Sequence, residues 1–111
     1  MLDLIVRYKH FIKKFRVLLY EYEENILRMK VKINCTDDST LFIKEYLFGN
    51  KERKYSYHWA NPSDVMICRW DNSGHWPDIS TYPHHKHIDN QVIESTETSV
   101  ADVLSLISQK M

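Results

Sequence analysis

Residues 26–34 read ILRMKVKIN, and apolar and basic side chains alternate along them almost without a break. Successive side chains of an extended strand point to opposite faces, so Leu27, Met29, Val31 and Ile33 share one face and Arg28, Lys30 and Lys32 the other. A helix would scatter both sets around its circumference. The stretch predicts an antiparallel strand with one face on a core and one toward solvent. A lone strand cannot bury that face, so its neighbours in sequence must complete a sheet.

They read that way. Upstream, VLLYEYE (17–23) predicts a strand, joined through Glu23-Glu24-Asn25 as a turn. Downstream, CTDDS (35–39) has turn chemistry, because Asp and Ser side chains bond nearby backbone N–H groups. TLFIKEYLF (40–48) is apolar on both faces, as a central strand would be, and GNKE (49–52) is a further turn. RKYSYHWA and DVMICRWDN follow as a hairpin around Asn61-Pro62-Ser63, where proline presets a turn dihedral and lacks a ladder donor. With Trp59 opposite Val65, Tyr55 would face Arg69, Tyr57 would face Ile67 and Arg53 would face Asp71. A slip of one residue on either strand would send Arg69 to the far side.

The ends differ. Leu4, Tyr8, Phe11 and Phe15, with Ile5 and Ile12 beside them, recur at helical spacing and predict a basic amphipathic helix over residues 1–16. Val100, Val103, Leu104 and Ile107 predict a C-terminal helix, with Thr98 or Ser99 as cap and Asp102 at the positive end of its dipole. The expectation is a single α+β domain over residues 1–111: a helix, a five-stranded antiparallel meander, a long histidine-rich loop with a short extended HHKHI piece, and a helix.

Net charge is zero, which argues against a protein that coats nucleic acid by charge alone. The charge is uneven, however. Arg7, Lys9, Lys13, Lys14 and Arg16 crowd the N-terminus, while Asp89, Glu94, Glu97 and Asp102 make the C-terminal part acidic. Cys35 and Cys68 stand far apart with no paired spacing and read as small core residues in a reducing compartment. No apolar run approaches membrane length, and the expected location is the cytoplasm.

The chemistry concentrates in RWDNSGHWPDISTYPHHKHI (69–88), which holds His75, His84, His85 and His87 with Arg69, Asp71 and Lys86. Two readings of it carry chemistry. In the first, Arg69 grips a phosphate, histidines exchange protons near neutral pH, and Asp71 orients one of them or Arg69. Lys86 adds positive charge, and Tyr55 or Tyr57 donates a hydrogen bond or stacks on a base. That set cleaves an RNA phosphodiester without metal or other cofactor. In the second, His84, His85 and His87 with Asp71, His75 or Asp78 ligate a metal such as zinc, against which Lys86 inside the cluster would work. The bland alternatives are cross-hairpin pairing for Arg69 and Asp71, core packing for Trp70, and strand propensity for the tyrosines. Glu45 lies on the Leu41, Ile43 and Leu47 face, where a carboxylate needs a partner, either in a site or in Arg69. His10 and His58 are assigned no role.

In combination, KEY (44–46), Lys54 to Trp59, RWDN (69–72), His75 and PHHKH (83–87) resemble the TumE family of toxin–antitoxin proteins. The resemblance covers most of the chain, most closely from about residue 40. It implies a small toxin neutralised by a cognate antitoxin, and by analogy with other small toxins it favours an endoribonuclease. By position it marks Glu45, Tyr55, Tyr57, Arg69, Asp71, Asn72, His75, His84, His85, Lys86 and His87, with Tyr55, Tyr57 and Asn72 on the substrate-binding side. A non-catalytic protein-binding module and a metal-dependent hydrolase are the rivals. A second copy could add at an exposed apolar sheet edge, although the sequence does not say which edge is free.

Overall fold

The computed structural model describes residues 1–111. Helices α1 (Leu2–Arg7) and α2 (Val100–Lys110) bracket β1 (Ile12–Glu23), β2 (Ile26–Cys35), β3 (Thr40–Leu47), β4 (Arg53–Ala60), β5 (Met66–Asp71), β6 (His85–Ile88) and β7 (Gln91–Glu94). All seven strands pair in chain order as one antiparallel meander, with β1 and β7 at its edges. The α+β expectation stands, with seven strands in place of five.

The first helix is much shorter than its apolar spacing suggested, and β1 begins at Ile12. A short isolated helix is marginal in water, whereas residues 12–23 gain a ladder along nearly all of β2. Glu24 and Asn25 both have positive φ and close the β1–β2 hairpin as a two-residue primed turn, whose twist suits the flanking strands. The same device joins β6 to β7. Asp89 and Asn90 have φ of 51° and 61° between the paired Ile88 and Gln91.

One face of the sheet is covered. Met29, Val31, Ile33, Leu41, Ile43, Tyr57, Trp59, Cys68 and Trp70 form a single buried cluster with Val100, Val103, Leu104 and Ile107 of α2 and with Ile5 and Phe11. Each such side chain contributes about 1.5–3 kcal/mol when fully buried. Ser99 caps α2, accepting from the Asp102 N–H while Asp102 accepts from its backbone, a reciprocal pair that satisfies two N–H groups. Both cysteines are free and buried, and burial pushes the Cys68 thiol up to about 11.

The β4–β5 register differs from the expected one. Ser56 pairs with Asp71, Tyr57 with Trp70, His58 with Arg69 and Trp59 with Cys68. Asn61 accepts from the N–H groups of Ser63 and Val65 at 2.9 and 3.0 Å, and Asp64 takes a φ of 62°. A bulge then leaves Ile67 without a partner between the Ala60–Met66 and Trp59–Cys68 pairs. This register buries Trp70 and Cys68 beside Tyr57 and Trp59. Arg69 and Asp71 consequently face away from the tyrosines, because facing them would have put a guanidinium into the core.

Candidate active site on the open sheet face

The face opposite the helices carries Arg28, Lys30 and Lys32 of β2, Lys44 of β3, Lys54 of β4 and Arg69 of β5, with Asp71 the one carboxylate that β2 to β5 place there. Phe42, Tyr46 and His58 stand among these cations. Two hollows lie side by side on this face. One, of about 500 Å³, is lined by Lys44, Lys54, Ser56, Arg69, Asp71, Ser73 and His75 among others. Its neighbour, of about 380 Å³, is lined by Leu18, Lys30, Phe42 and His58 and shares Lys44, Ser56 and Arg69. Arg69 thus stands between them.

Strands β5 and β6 pair Arg69 with His87 and Asp71 with His85, so these four side chains share the open face. Asp71 is only 5% exposed. It accepts from the Ser73 N–H and hydroxyl at 3.1 and 3.0 Å and from Arg69 Nε at 3.1 Å. Burial works to raise its carboxyl, but the Ser73 bonds, His85 and Arg69 outweigh this and hold it below the usual carboxylate range.

The two imidazoles on Asp71 are not equivalent. His85 is 1% exposed, and its Nδ1 lies 3.0 Å from the Pro83 carbonyl. Its Nε2 approaches Asp71 Oδ1 to 2.7 Å without making a well-aligned hydrogen bond. At that burial His85 is closed to solvent. His87 is a quarter exposed and sets Nε2 3.3 Å from Asp71 Oδ2. The Trp76 indole meets both rings edge-on, with centroids 6.5 and 6.3 Å away, and forms a partial roof from the loop.

Burial lowers His87 below the usual imidazole range, His85 and Arg69 adding to the effect and Asp71 opposing it. Burial and Arg69 lower His58 in the same direction, against Asp64. Unfolding raises both values, so the unfolded chain binds more protons below about pH 6.5. Their contribution to stability is complete above that pH and is lost as pH falls toward the folded values. The urea midpoint is expected to drop between about pH 7.5 and about pH 5.5, with a shallower drop in the His58→Gln/His87→Gln variant. Equal slopes for the two proteins would contradict the assignment.

Other residues that the sequence pointed to lie elsewhere. Tyr55 and Tyr57 are buried on the covered face at 3% and 0% exposure and cannot stack on a base. Tyr57 donates to Glu45, and Arg53 donates to Tyr57 and to Glu97. The partner of Glu45 is therefore Arg53, 3.7 Å away, and not Arg69. His84 Nδ1 meets Tyr55 Oη at 2.9 Å on that side. Lys86 pairs with Trp70 in the ladder and so faces the covered side, across the sheet from Arg69. Asn72 accepts from Tyr55 N and donates to Arg53 O, pinning the end of β4. His75 remains with Arg69 and Asp71 as a lining residue of the larger hollow.

Lys44, Lys54, His58, Ser73 and Trp76 join the site without having been singled out. The alternation of KEY and KYSYHW already carried the signal for Lys44, Lys54 and His58 in principle, since each falls opposite the buried positions of its strand. Asp71, His85 and His87 could also hold a metal ion, their ligand atoms lying within 4.8 Å of one another. The Arg69 guanidinium on Asp71 places a fixed positive charge against that use.

The fold and site define a class: a small open-faced antiparallel sheet that exposes cations around a buried carboxylate flanked by imidazoles. The family model for Toxin TumE matches residues 1–111, and the chain belongs to that toxin family. No curated protein and no solved structure matches it significantly. No helix is long and apolar enough to cross a membrane.

Proposed function

We propose that this toxin is a metal-independent endoribonuclease, restrained by an antitoxin protein, with the open sheet face as its RNA-binding surface. One observation carries the reading: Arg69, Asp71 and the quarter-exposed His87 lie together on a face crowded with cations. Such a face attracts a phosphate backbone locally even though the whole chain is neutral.

Arg69 holds the scissile phosphate. His87 Nδ1 takes the proton of the neighbouring 2′-hydroxyl, while Asp71, on Nε2, orients the ring and stabilises the imidazolium that forms. The 2′-oxygen bonds to phosphorus, Arg69 and Lys44 stabilise the added negative charge, and the bond to the 5′-oxygen breaks. His75, at the wall of the same hollow, protonates the leaving oxygen. The products are a 2′,3′-cyclic phosphate and a 5′-hydroxyl. His85, buried against Asp71, positions that carboxylate.

Induced expression tests this directly. Wild type is expected to arrest growth and fragment total RNA, and Arg69→Ala to lose at least about a hundredfold in cleavage, as removal of one charge-stabilising donor does elsewhere. Intact RNA during wild-type arrest, or an Arg69→Ala variant as inhibitory as wild type, would refute the proposal.

A metal-dependent hydrolase is the second reading. It is favoured by His85, whose Nδ1 contact with a carbonyl is the usual brace of a ligating imidazole and whose Nε2 lacks a well-aligned partner. Cleavage that survives a chelator supports the first reading. A stoichiometric metal in untagged protein, with activity lost on its removal, supports the second.

A further inference from the structure

We infer that β1 is a self-recognition edge, on which β1 of a second copy of this chain adds antiparallel about a two-fold axis between Leu18 and Leu19. The two edges of the sheet differ greatly. β7 offers four residues, whereas β1 offers twelve with no proline and no strand beyond it. Such an edge is a template for a further strand unless something covers it. It is also apolar where it should be solvated, with Phe15, Val17, Leu18, Tyr20 and Tyr22 exposed by 42, 53, 50, 67 and 68%.

Charge selects the occupant. Lys13, Lys14 and Arg16 lie at the start of the strand and Glu21 and Glu23 at its end, so β1 is electrostatically complementary to its own reverse. The bulge at Leu18 sets the register. Before it, Phe15 and Val17 share the covered side and Lys14 and Arg16 the open side. After it, Tyr20 and Tyr22 share the covered side and Glu21 and Glu23 the open side. Because of that extra residue, one antiparallel alignment matches faces and charges together. Phe15 and Val17 meet the partner's Tyr22 and Tyr20, while Lys14 and Arg16 meet the partner's Glu23 and Glu21. Shifting the alignment by two residues in either direction breaks at least one of these ion pairs. Arg16 stands opposite Lys32 within its own sheet, a like-charge neighbour that the partner's Glu21 offsets. The axis is normal to the sheet, so both basic faces stay on one side and form a continuous surface. The inference does not depend on RNA being cut there.

The test is light scattering on purified wild type, Arg16→Glu, Glu21→Arg and the double variant. Wild type is expected to be dimeric and each single variant to weaken the dimer about tenfold or more. The double variant is expected to recover, and an equimolar mixture of the two single variants to form a heterodimer. Both positions are exposed, and circular dichroism confirms folding. A monomeric wild type overturns the inference, as does a dimer indifferent to the substitutions or a mixture that fails to pair. An edge occupied only when antitoxin is added overturns it as well, and assigns the strand to that partner.

Discussion

His87→Ala is expected to lower the single-turnover rate of RNA cleavage by about 10²–10⁴-fold, the usual contribution of one positioned acid–base group. The ring is a quarter exposed on the open face, with Asp71 as the one polar group against it, so the variant should fold and still bind RNA. Its depressed proton affinity matters here, because a base must be unprotonated at the start of the reaction and burial keeps this ring neutral near pH 7. The control is His85→Ala. That side chain touches no substrate-accessible space, and its loss should lower the melting temperature before it lowers the rate of the folded fraction. Unchanged cleavage in well-folded His87→Ala protein, alongside lost cleavage in Arg69→Ala, would leave charge stabilisation without base catalysis and would sink the proton-transfer scheme.

Asp71→Ala is expected to destabilise the fold by about 3–5 kcal/mol, the range seen when one partner of a buried ion pair is removed. Three cationic or potentially cationic groups and two Ser73 donors converge on this carboxylate. Removing it leaves His85 and Arg69 crowded without a counter-charge. The folded-state value of Asp71 lies below its unfolded one, so its contribution is complete above about pH 4 and disappears as pH falls through the folded value. Denaturant titrations of wild type should therefore show an acid limb that is flattened in Asp71→Ala. A variant within about 1 kcal/mol of wild type would mean that the carboxylate is not the hub that its contacts indicate.

Much of the fold was legible before any coordinates. Alternation in ILRMKVKIN and KYSYHW, and apolar residues on both faces of TLFIKEYLF, placed the central strands, and Ser99 with Asp102 announced the last helix. The misses have definite causes. Phe11 and Phe15 fit helical spacing and strand spacing equally well, and pairing with β2 decided between them. Asp89-Asn90 is as strong a primed-turn signal as Glu24-Asn25, and reading it as such would have disclosed β7. The imidazole cluster was visible as composition, but which imidazole is free was not.

By itself the sequence determined that a sheet exists, which residues of each strand share a face, and that Arg69 and Asp71 travel together. Those facts follow from local geometry, since side chains two apart on a strand must agree. Which face that pair joins depended on one unpaired residue in the β4–β5 hairpin. That choice came from the competition between burying Trp70 and burying Arg69, which is settled by packing across the whole sheet. Only the tertiary structure could place His85 and His87 on Asp71 and send His84 and Lys86 to the other side.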